Sequence, residues 1–314
     1  MKKLIIVVII LCIIIALGIA IFLVTDNENE TETKLEEAKF YVLDGAIYEK
    51  DVILNEDAIK GNIEKINRVY ENYLKDRNMN VYFSIIPDKT YFAQNEMDSE
   101  YKKIENSTVE KLNSEISYFD ISKSLNLDDY YKTDMHWKQE NLEKVVDIIQ
   151  NELNLESDEK VKYEEKSLGD FYGTYYDEIE NNVSPDELVY LSNDVLESCK
   201  VYNEETKLEE PIYNLNRVEK TGNKYDLFLS GASSIQKIIN ENVDNGRKLI
   251  LFRDSFGSSI APLIAGQYEE ILLIDLRYIN YSILSDYIDF SEFANQDVLF
   301  LYSSRVINKA GIFR

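Results

Sequence analysis

The sequence predicts an α/β domain, a parallel sheet covered by helices, following an N-terminal transmembrane helix. Apolar runs without interruption, K-L-I-L-F (248–252), E-I-L-L-I-D-L (270–276) and D-V-L-F-L-Y (297–302), alternate with helical patterns in the C-terminal third. Strands buried on both faces read in this way, and their alternation with helices implies parallel pairing. The other observation is residues 4–24, 21 apolar residues in a row, when about 20 at 1.5 Å per residue cross a bilayer core.

Lys2 and Lys3 precede the span and D-N-E-N-E-T-E-T follows it. The basic bias places the N-terminus in the cytoplasm and the body outside the membrane. A cleaved signal peptide is the alternative. Its apolar region is usually about 7–15 residues long and ends in small residues, whereas this run is longer and ends F-L-V-T-D. Residues 1–25 are therefore expected to be a cytoplasmic stub and single-pass cell-membrane anchor, 26–39 an acidic tether, and 40–314 one extracytoplasmic domain.

Along that domain, Ile59, Ile63, Ile66, Val69, Tyr70, Tyr73 and Leu74 recur at helical spacing over 56–77. N-V-Y-F-S-I-I-P (80–87) reads as a buried strand stopped by Pro87. A weaker helix is expected over 100–117. Leu142, Val145, Val146, Ile149 and Leu153 predict an amphipathic helix over 139–153. The stretch 160–230 is Tyr-rich and alternating, which suggests short strands and long loops. A helix near 233–242 leads to the strand at 248–252, a tight turn, the helix F-G-S-S-I-A-P-L-I-A-G, the strand at 270–276, a helix near 282–289 and the strand at 297–302.

The formal charge is −24, and without Lys2 and Lys3 the count is 32 Lys+Arg against 58 Asp+Glu, a net −26. Such a surface repels nucleic acid and anionic lipid. Cys12 lies mid-span, so Cys199 has no disulfide partner in the body.

His136, the only histidine in the chain, stands in Y-K-T-D-M-H-W, two residues after Asp134 and next to the only tryptophan, Trp137. Ser255 stands in F-R-D-S-F-G-S-S, where an apolar strand should break into a helix. Asp, His and Ser are the parts of a nucleophilic relay, in which imidazole takes the serine proton and carboxylate stabilises the imidazolium. Each residue also has a structural reading. Ser255 or Asp254 fits a helix N-cap, Asp134 fits the cap of the helix after it, and His136 fits a packed, hydrogen-bonded side chain. One His with no nearby thiolate is a poor transition-metal set, which leaves a carboxylate-rich calcium site open, and Ser-His-Asp acyl transfer needs no metal or organic cofactor. Tyr172, Tyr175 and Tyr176 fit either core packing or a platform for sugar rings, with Trp137 a further candidate contact. Arg253 and Lys132 fit either substrate orientation or structural ion pairing.

T-D-M-H-W followed 119 residues later by R-D-S-F resembles the DHHW family, SGNH-hydrolase-like proteins related to the alginate O-acetyltransferases. The resemblance extends over most of 40–305 and includes V-Y-F-S-I-I-P-D-K, D-F-Y-G-T, Y-D-L-F-L-S-G and the run through I-D-L-R-Y. It implies an SGNH-hydrolase-like fold with Ser255 as nucleophile, His136 as general base and acid, and Asp134 as its orienting partner. Met135 stands at the family's first histidine. S-G-A-S-S (230–234) stands where relatives often carry Gly-Asn, which leaves the N–H groups of Ser255, Gly231 and Ser233 as candidate oxyanion donors. The implied reaction moves an acetyl group through Ser255 to a hydroxyl of a cell-surface or exported polysaccharide. The implied acetyl source is a membrane-bound O-acyltransferase partner. The alternatives are an esterase using the same residues with water as acceptor, and a non-catalytic polysaccharide-binding or assembly protein.

Overall fold

The apolar runs of the C-terminal third become the centre of the sheet. The protein is described by a computed structural model at residues 39–50, 53–93, 100–155, 161–179 and 183–314. The expected anchor at 4–24, and the tether as far as residue 38, lie outside these residues. Among the described residues, no helix is long and apolar enough to cross a membrane.

The chain enters through a hairpin, β1 (Phe40–Leu43) and β2 (Ala46–Glu49), turned by Asp44 and Gly45. Both turn residues have positive φ, 49° and 76°, the backbone that a two-residue hairpin loop demands and that Asp-Gly supplies. Helix α1 (Glu56–Val69) follows, capped by the Asn55 side chain and burying Ile59, Ile63, Ile66 and Val69. The expected helix continues to Arg77 as a π turn and a 3₁₀ turn, then stops at Asn78 with φ 53°. Strand β3 (Asn80–Ile86) ends at Pro87 as expected. Helix α2 (Glu100–Lys111) stops short of 117, because Asn113 turns the chain by accepting Glu115 N–H on its side chain and Ile116 N–H on its carbonyl. The two-residue strand β4 (Ser117–Tyr118) comes next, and then helix α3 (Glu143–Glu152), entered through a 3₁₀ turn at Gln139–Asn141.

The stretch expected as short strands and loops holds the hairpin β5 (Glu164–Phe171) and β6 (Asp186–Ser192), then β7 (Lys200–Asn203) and β8 (Leu208–Pro211). The expected helix near 233–242 is instead strand β9 (Ile235–Ile239). Its polar residues have sheet partners: Gln236 is buried against Arg253, and Lys237 reaches Glu270 on the adjacent strand. Then come β10 (Lys248–Arg253), helix α4 (Phe256–Ile264), β11 (Glu270–Ile274) and β12 (Asp297–Ser303). The helix expected near 282–289 is two 3₁₀ turns, Tyr281–Asp286 and Phe290–Phe293, begun by the side chains of Asn280 and Asp289.

The eight-stranded sheet has the order β4-β3-β12-β10-β11-β9-β7-β8. The first five strands are mutually parallel, and the last three pair antiparallel. The fully parallel sheet expected from the sequence is thus a mixed one, with β9, β7 and β8 added at one side. Alternate residues of the central strands feed two separate cores. Leu249, Leu251, Leu299 and Leu301 pack with α3 and α4 on one face, while Ile250, Phe252, Val298 and Phe300 pack with α1 and α2 on the other. Burial on both faces is why these strands carry no polar alternation. The break from β10 to α4 falls at a strand's C-terminal end, where such sheets place their sites.

Candidate active site

Ser255 lies in the turn from β10 into α4 and is half-exposed among buried neighbours. It opens the helix without its side chain capping it. Asp254 does that work: one carboxylate oxygen accepts Phe256 N–H at 3.0 Å, and the other accepts Ser303 N–H at 2.8 Å from the end of β12. The Ser255 hydroxyl is thereby left for another partner. That partner is His136, whose Nε2 lies 2.7 Å from Ser255 Oγ. On the other side of the ring, Nδ1 lies 2.5 Å from Asp134 Oδ1.

The loop carrying His136 is closed at its base by an antiparallel bridge between Tyr130 and Trp137. Asp186 at the start of β6 accepts Lys132 N–H, Thr133 N–H and the Thr133 hydroxyl at 2.8, 2.8 and 2.6 Å. Lys89, buried, donates to the carbonyls of Tyr131, Lys132 and Asp134 at 3.0, 3.1 and 2.8 Å. Burial pushes its ammonium down to about 8, against the pull of Asp88, Asp134 and Asp186. Asp134 does not cap a helix. Its Oδ1 accepts His136 N–H at 2.9 Å, and its Oδ2 accepts the N–H and hydroxyl of Thr174 at 2.7 and 2.9 Å. Burial opposes its charge, but His136 and these donors prevail and hold the carboxyl well below the usual carboxylate range.

The imidazole is sandwiched. It stacks on Tyr225 with centroids 4.0 Å apart and 17° between planes, and Phe256 lies 4.7 Å away. The Tyr225 hydroxyl reaches Ser259 Oγ at 3.1 Å, and Trp137 Nε1 donates to the same oxygen at 2.8 Å. Gly257 allows Arg253 to lie under α4, since a Cβ there would stand 2.5 Å from Arg253 Cβ. Above Ser255 is a cavity of about 150 Å³, lined in part by Asp134, His136, Thr174, Tyr225, Gly231 and Arg277. The arrangement can move a proton from Ser255 Oγ to Nε2 while Asp134 holds the proton on Nδ1. Among the described residues, no cluster of His, Cys, Asp or Glu is suited to a metal ion.

The other sequence candidates divide. Trp137 is fully buried and acts on the α4 turn, so it offers no face to a substrate. Tyr175 is buried with Phe40, Ile47 and Val183, also away from any sugar. Tyr172 is exposed and packs edge-on against Tyr176, 4.7 Å between centroids, and neither lines the cavity. Arg253 lines the cavity floor but is almost wholly buried, bonded to Gln236 at 2.9 Å and 3.9 Å from Asp275, as a structural group would be. The Lys132 side chain is exposed, and the residue serves the site through its backbone. Gly231 lines the cavity, but its N–H already donates to the Phe228 carbonyl at 3.1 Å, which removes it as an oxyanion donor. Ser233 is buried outside the cavity lining. Ser255 N–H, in the first turn of α4 where N–H groups lack intrahelical acceptors, is the candidate that keeps its geometry. Lys89, Gly173, Thr174 and Tyr225 escaped the sequence reading as site residues.

The DHHW protein family matches residues 92–274, more than half of the chain and the whole interval from before Asp134 to beyond Ser255. The chain belongs to the DHHW family. Three solved structures share its mixed α/β fold with a large central sheet. A DHHW family protein from Eubacterium siraeum has a TM-score of 0.69 at 21% identity, covering 87% of this chain and 92% of that one. Bacillus cereus PatB1 with a sulfonyl adduct gives 0.67 at 16%, covering 88% and 98%. The O-acetyltransferase domain of Pseudomonas putida AlgJ gives 0.51 at 10%, covering 87% and 94%. No curated protein sequence matches the chain.

Proposed function

We propose that this DHHW protein is an O-acyltransferase of the cell envelope that carries an acetyl group on Ser255 and passes it to a polysaccharide hydroxyl. The observation that carries the reading is the continuous contact from Asp134 through both ring nitrogens of His136 to Ser255 Oγ, 2.5 and 2.7 Å, opening into a cavity. In the first half-reaction Ser255 Oγ gives its proton to His136 Nε2 and bonds to the acyl carbon. The donor's carbon–oxygen bond breaks, and the leaving oxygen takes that proton. In the second, the acceptor hydroxyl gives its proton to Nε2 and bonds to the acyl carbon, and Ser255 Oγ recovers the proton as its ester breaks. The negative oxygen of each tetrahedral intermediate falls to Ser255 N–H and the positive end of α4.

The likeness to an O-acetyltransferase domain supports the transfer reading at the level of fold. The apolar run at 4–24 would hold the domain at the membrane, near a membrane-bound O-acyltransferase that supplies acetyl groups. The test is intact mass of the full chain after treatment with 4-nitrophenyl acetate or a sulfonyl fluoride, beside Ser255→Ala and His136→Ala. An adduct on the wild type alone supports the reading. The same mass increase, or none, on all three overturns it and favours a non-catalytic binding protein. Free acetate without any acetylated oligosaccharide would make water the acceptor and the protein an esterase.

A further inference from the structure

We propose that an uncharged glycan lies in a groove running from Ser255 over Tyr278 to Tyr287, stacked on the two tyrosine rings. A second cavity, about 540 Å³, adjoins the one above Ser255 and is lined by Glu204, Glu205, Ser234, Tyr278, Asn280 and Tyr287, among others. Tyr278 lines both cavities. The S-G-A-S-S segment also walls both, with Gly231 and Ala232 on the Ser255 side and Ser234 on the other. A polymer with one hydroxyl at Ser255 would extend across Tyr278 in this direction. The inference rests on the transferase reading for its substrate class, and names where that substrate lies.

The chemistry of the groove suits a sugar. Tyr278 and Tyr287 are 43% and 58% exposed, large apolar faces that a folded chain gains nothing by leaving in water. A pyranose ring presents C–H bonds to such a face, and the electron-rich ring attracts them. Tyr278 is held in place: its N–H donates to the Asp275 carbonyl at 3.0 Å, and the Arg277 guanidinium lies 5.4 Å from its ring centroid. Asn280, Glu204 and Glu205 supply polar groups to the second cavity. Both carboxylates have partners. Glu204 pairs with Lys207 at 2.5 Å, Glu205 accepts Ser234 N–H at 2.7 Å, and Arg314 lines the same wall. On the Ser255 side, Arg277 is engaged by Asp275 in a two-pronged pair. Arg314 is a cation in this path, with Nη1 3.5 Å from the Tyr278 carbonyl, but it stands against Glu204 and Glu205 in the same lining, and a chain of net charge −24 repels an anionic polymer before it arrives. The aromatic platform is thus at Tyr278 and Tyr287, and not at Tyr172 and Tyr176.

The experiment is calorimetric titration of the full-length Ser255→Ala protein with chitohexaose, cellohexaose and hexagalacturonate. Binding then does not depend on turnover, and acylation of the wild type by 4-nitrophenyl acetate is read separately. At least one neutral hexasaccharide should bind, and Tyr278→Ala or Tyr287→Ala in the same background should weaken it about tenfold or more. Tyr287→Phe, which keeps the ring, should retain it. No binding of either neutral sugar, equal binding by the alanine variants, or tighter binding of hexagalacturonate would each overturn the groove. A groove that binds beside a Ser255 that does not acylate would instead sink the transferase reading and leave this one standing.

Discussion

Gly173 presses against Asp134 so closely that a Cβ on the glycine would stand 2.3 Å from the Asp134 Cβ and 2.5 Å from the Thr133 carbonyl oxygen. The next residue, Thr174, gives both its N–H and its hydroxyl to Asp134 Oδ2. The glycine therefore sets how near the Thr174 donors come to the carboxylate. Gly173→Ala must push Asp134 and the 133 backbone away from His136. We expect a stability loss of about 1–3 kcal/mol, as overpacking at a filled site costs. We also expect slower acylation of Ser255. Urea midpoints and the rate of 4-nitrophenyl acetate turnover check the two effects separately.

Asp134→Asn keeps the shape and removes the charge. Replacing the carboxylate of such a relay frees the wrong imidazole tautomer to face the serine, and acylation should fall by about three to four powers of ten. The same variant carries a pH signature. Asp134 has a depressed pKa in the folded protein, so it stabilises the fold above the unfolded carboxylate value of about 3.9 and loses that contribution as the pH falls toward the folded value. The stability gap between wild type and Asp134→Asn should therefore narrow below about pH 4. A gap that stayed constant from pH 7 to pH 3 would mean that the carboxylate is not held as the contacts imply.

Much of this site was legible because its chemistry is scarce. A single histidine beside an aspartate, and a serine at the end of an apolar strand, left few other arrangements. The central strands were legible for a related reason: both faces are buried, so Leu249 to Phe252 and Val298 to Tyr302 carry no polar residue that could disguise them. Strand β9 was not legible. Gln236 is tolerated inside the sheet only because Arg253 and the Leu229 carbonyl satisfy its amide, and both partners are distant in the sequence or hidden in a loop. Tyr175 failed likewise, since one exposed and one buried tyrosine look alike in D-F-Y-G-T-Y-Y. In that segment the informative residue was the glycine. Lys89 gave no signal, because a lysine whose partners are backbone carbonyls leaves no mark of charge pairing.

Lys89 supplies its own test. Lys89→Met strips the donor from three carbonyls of the loop that carries Asp134. The Lys132 carbonyl keeps the Ile47 N–H at 2.8 Å, so the Tyr131 and Asp134 carbonyls are the ones that lose their donor, at about 1–3 kcal/mol each at most, and the loop should loosen before the sheet does. Acylation should drop while Ser255 remains the labelled residue. The pH dependence has a definite sign. The folded protein releases the Lys89 proton near 8, and the unfolded chain keeps it to about 10.4, so this group makes stability rise with pH across that window. Wild type minus Lys89→Met, measured by urea unfolding at pH 7.5 and 10, should show that rise. A difference that shrinks over the same interval would refute the assignment.

Trp137 separates packing from chemistry at the same loop. Its indole N–H serves both Ser259 Oγ at 2.8 Å and the Phe256 carbonyl at 3.2 Å, and its ring meets Phe256 edge-on at 5.4 Å. It thus ties the residue after His136 to the helix that begins at Ser255. Trp137→Phe retains much of the apolar volume and removes the indole donor, while Ser259 Oγ keeps the Tyr225 hydroxyl and the Phe256 carbonyl keeps the Ser259 hydroxyl, so the cost should be about 0.5–1.5 kcal/mol. Since the tie sets the spacing of His136 and Ser255, acylation should slow by about one to two powers of ten, as small displacements of reacting groups do. That is less than for His136→Ala, because the imidazole itself remains. Sugar affinity should be unchanged, because Trp137 is buried and lines neither part of the groove. Calorimetry with the neutral hexasaccharides in the Ser255→Ala background checks this point, and a parallel loss of binding would return Trp137 to the substrate contacts.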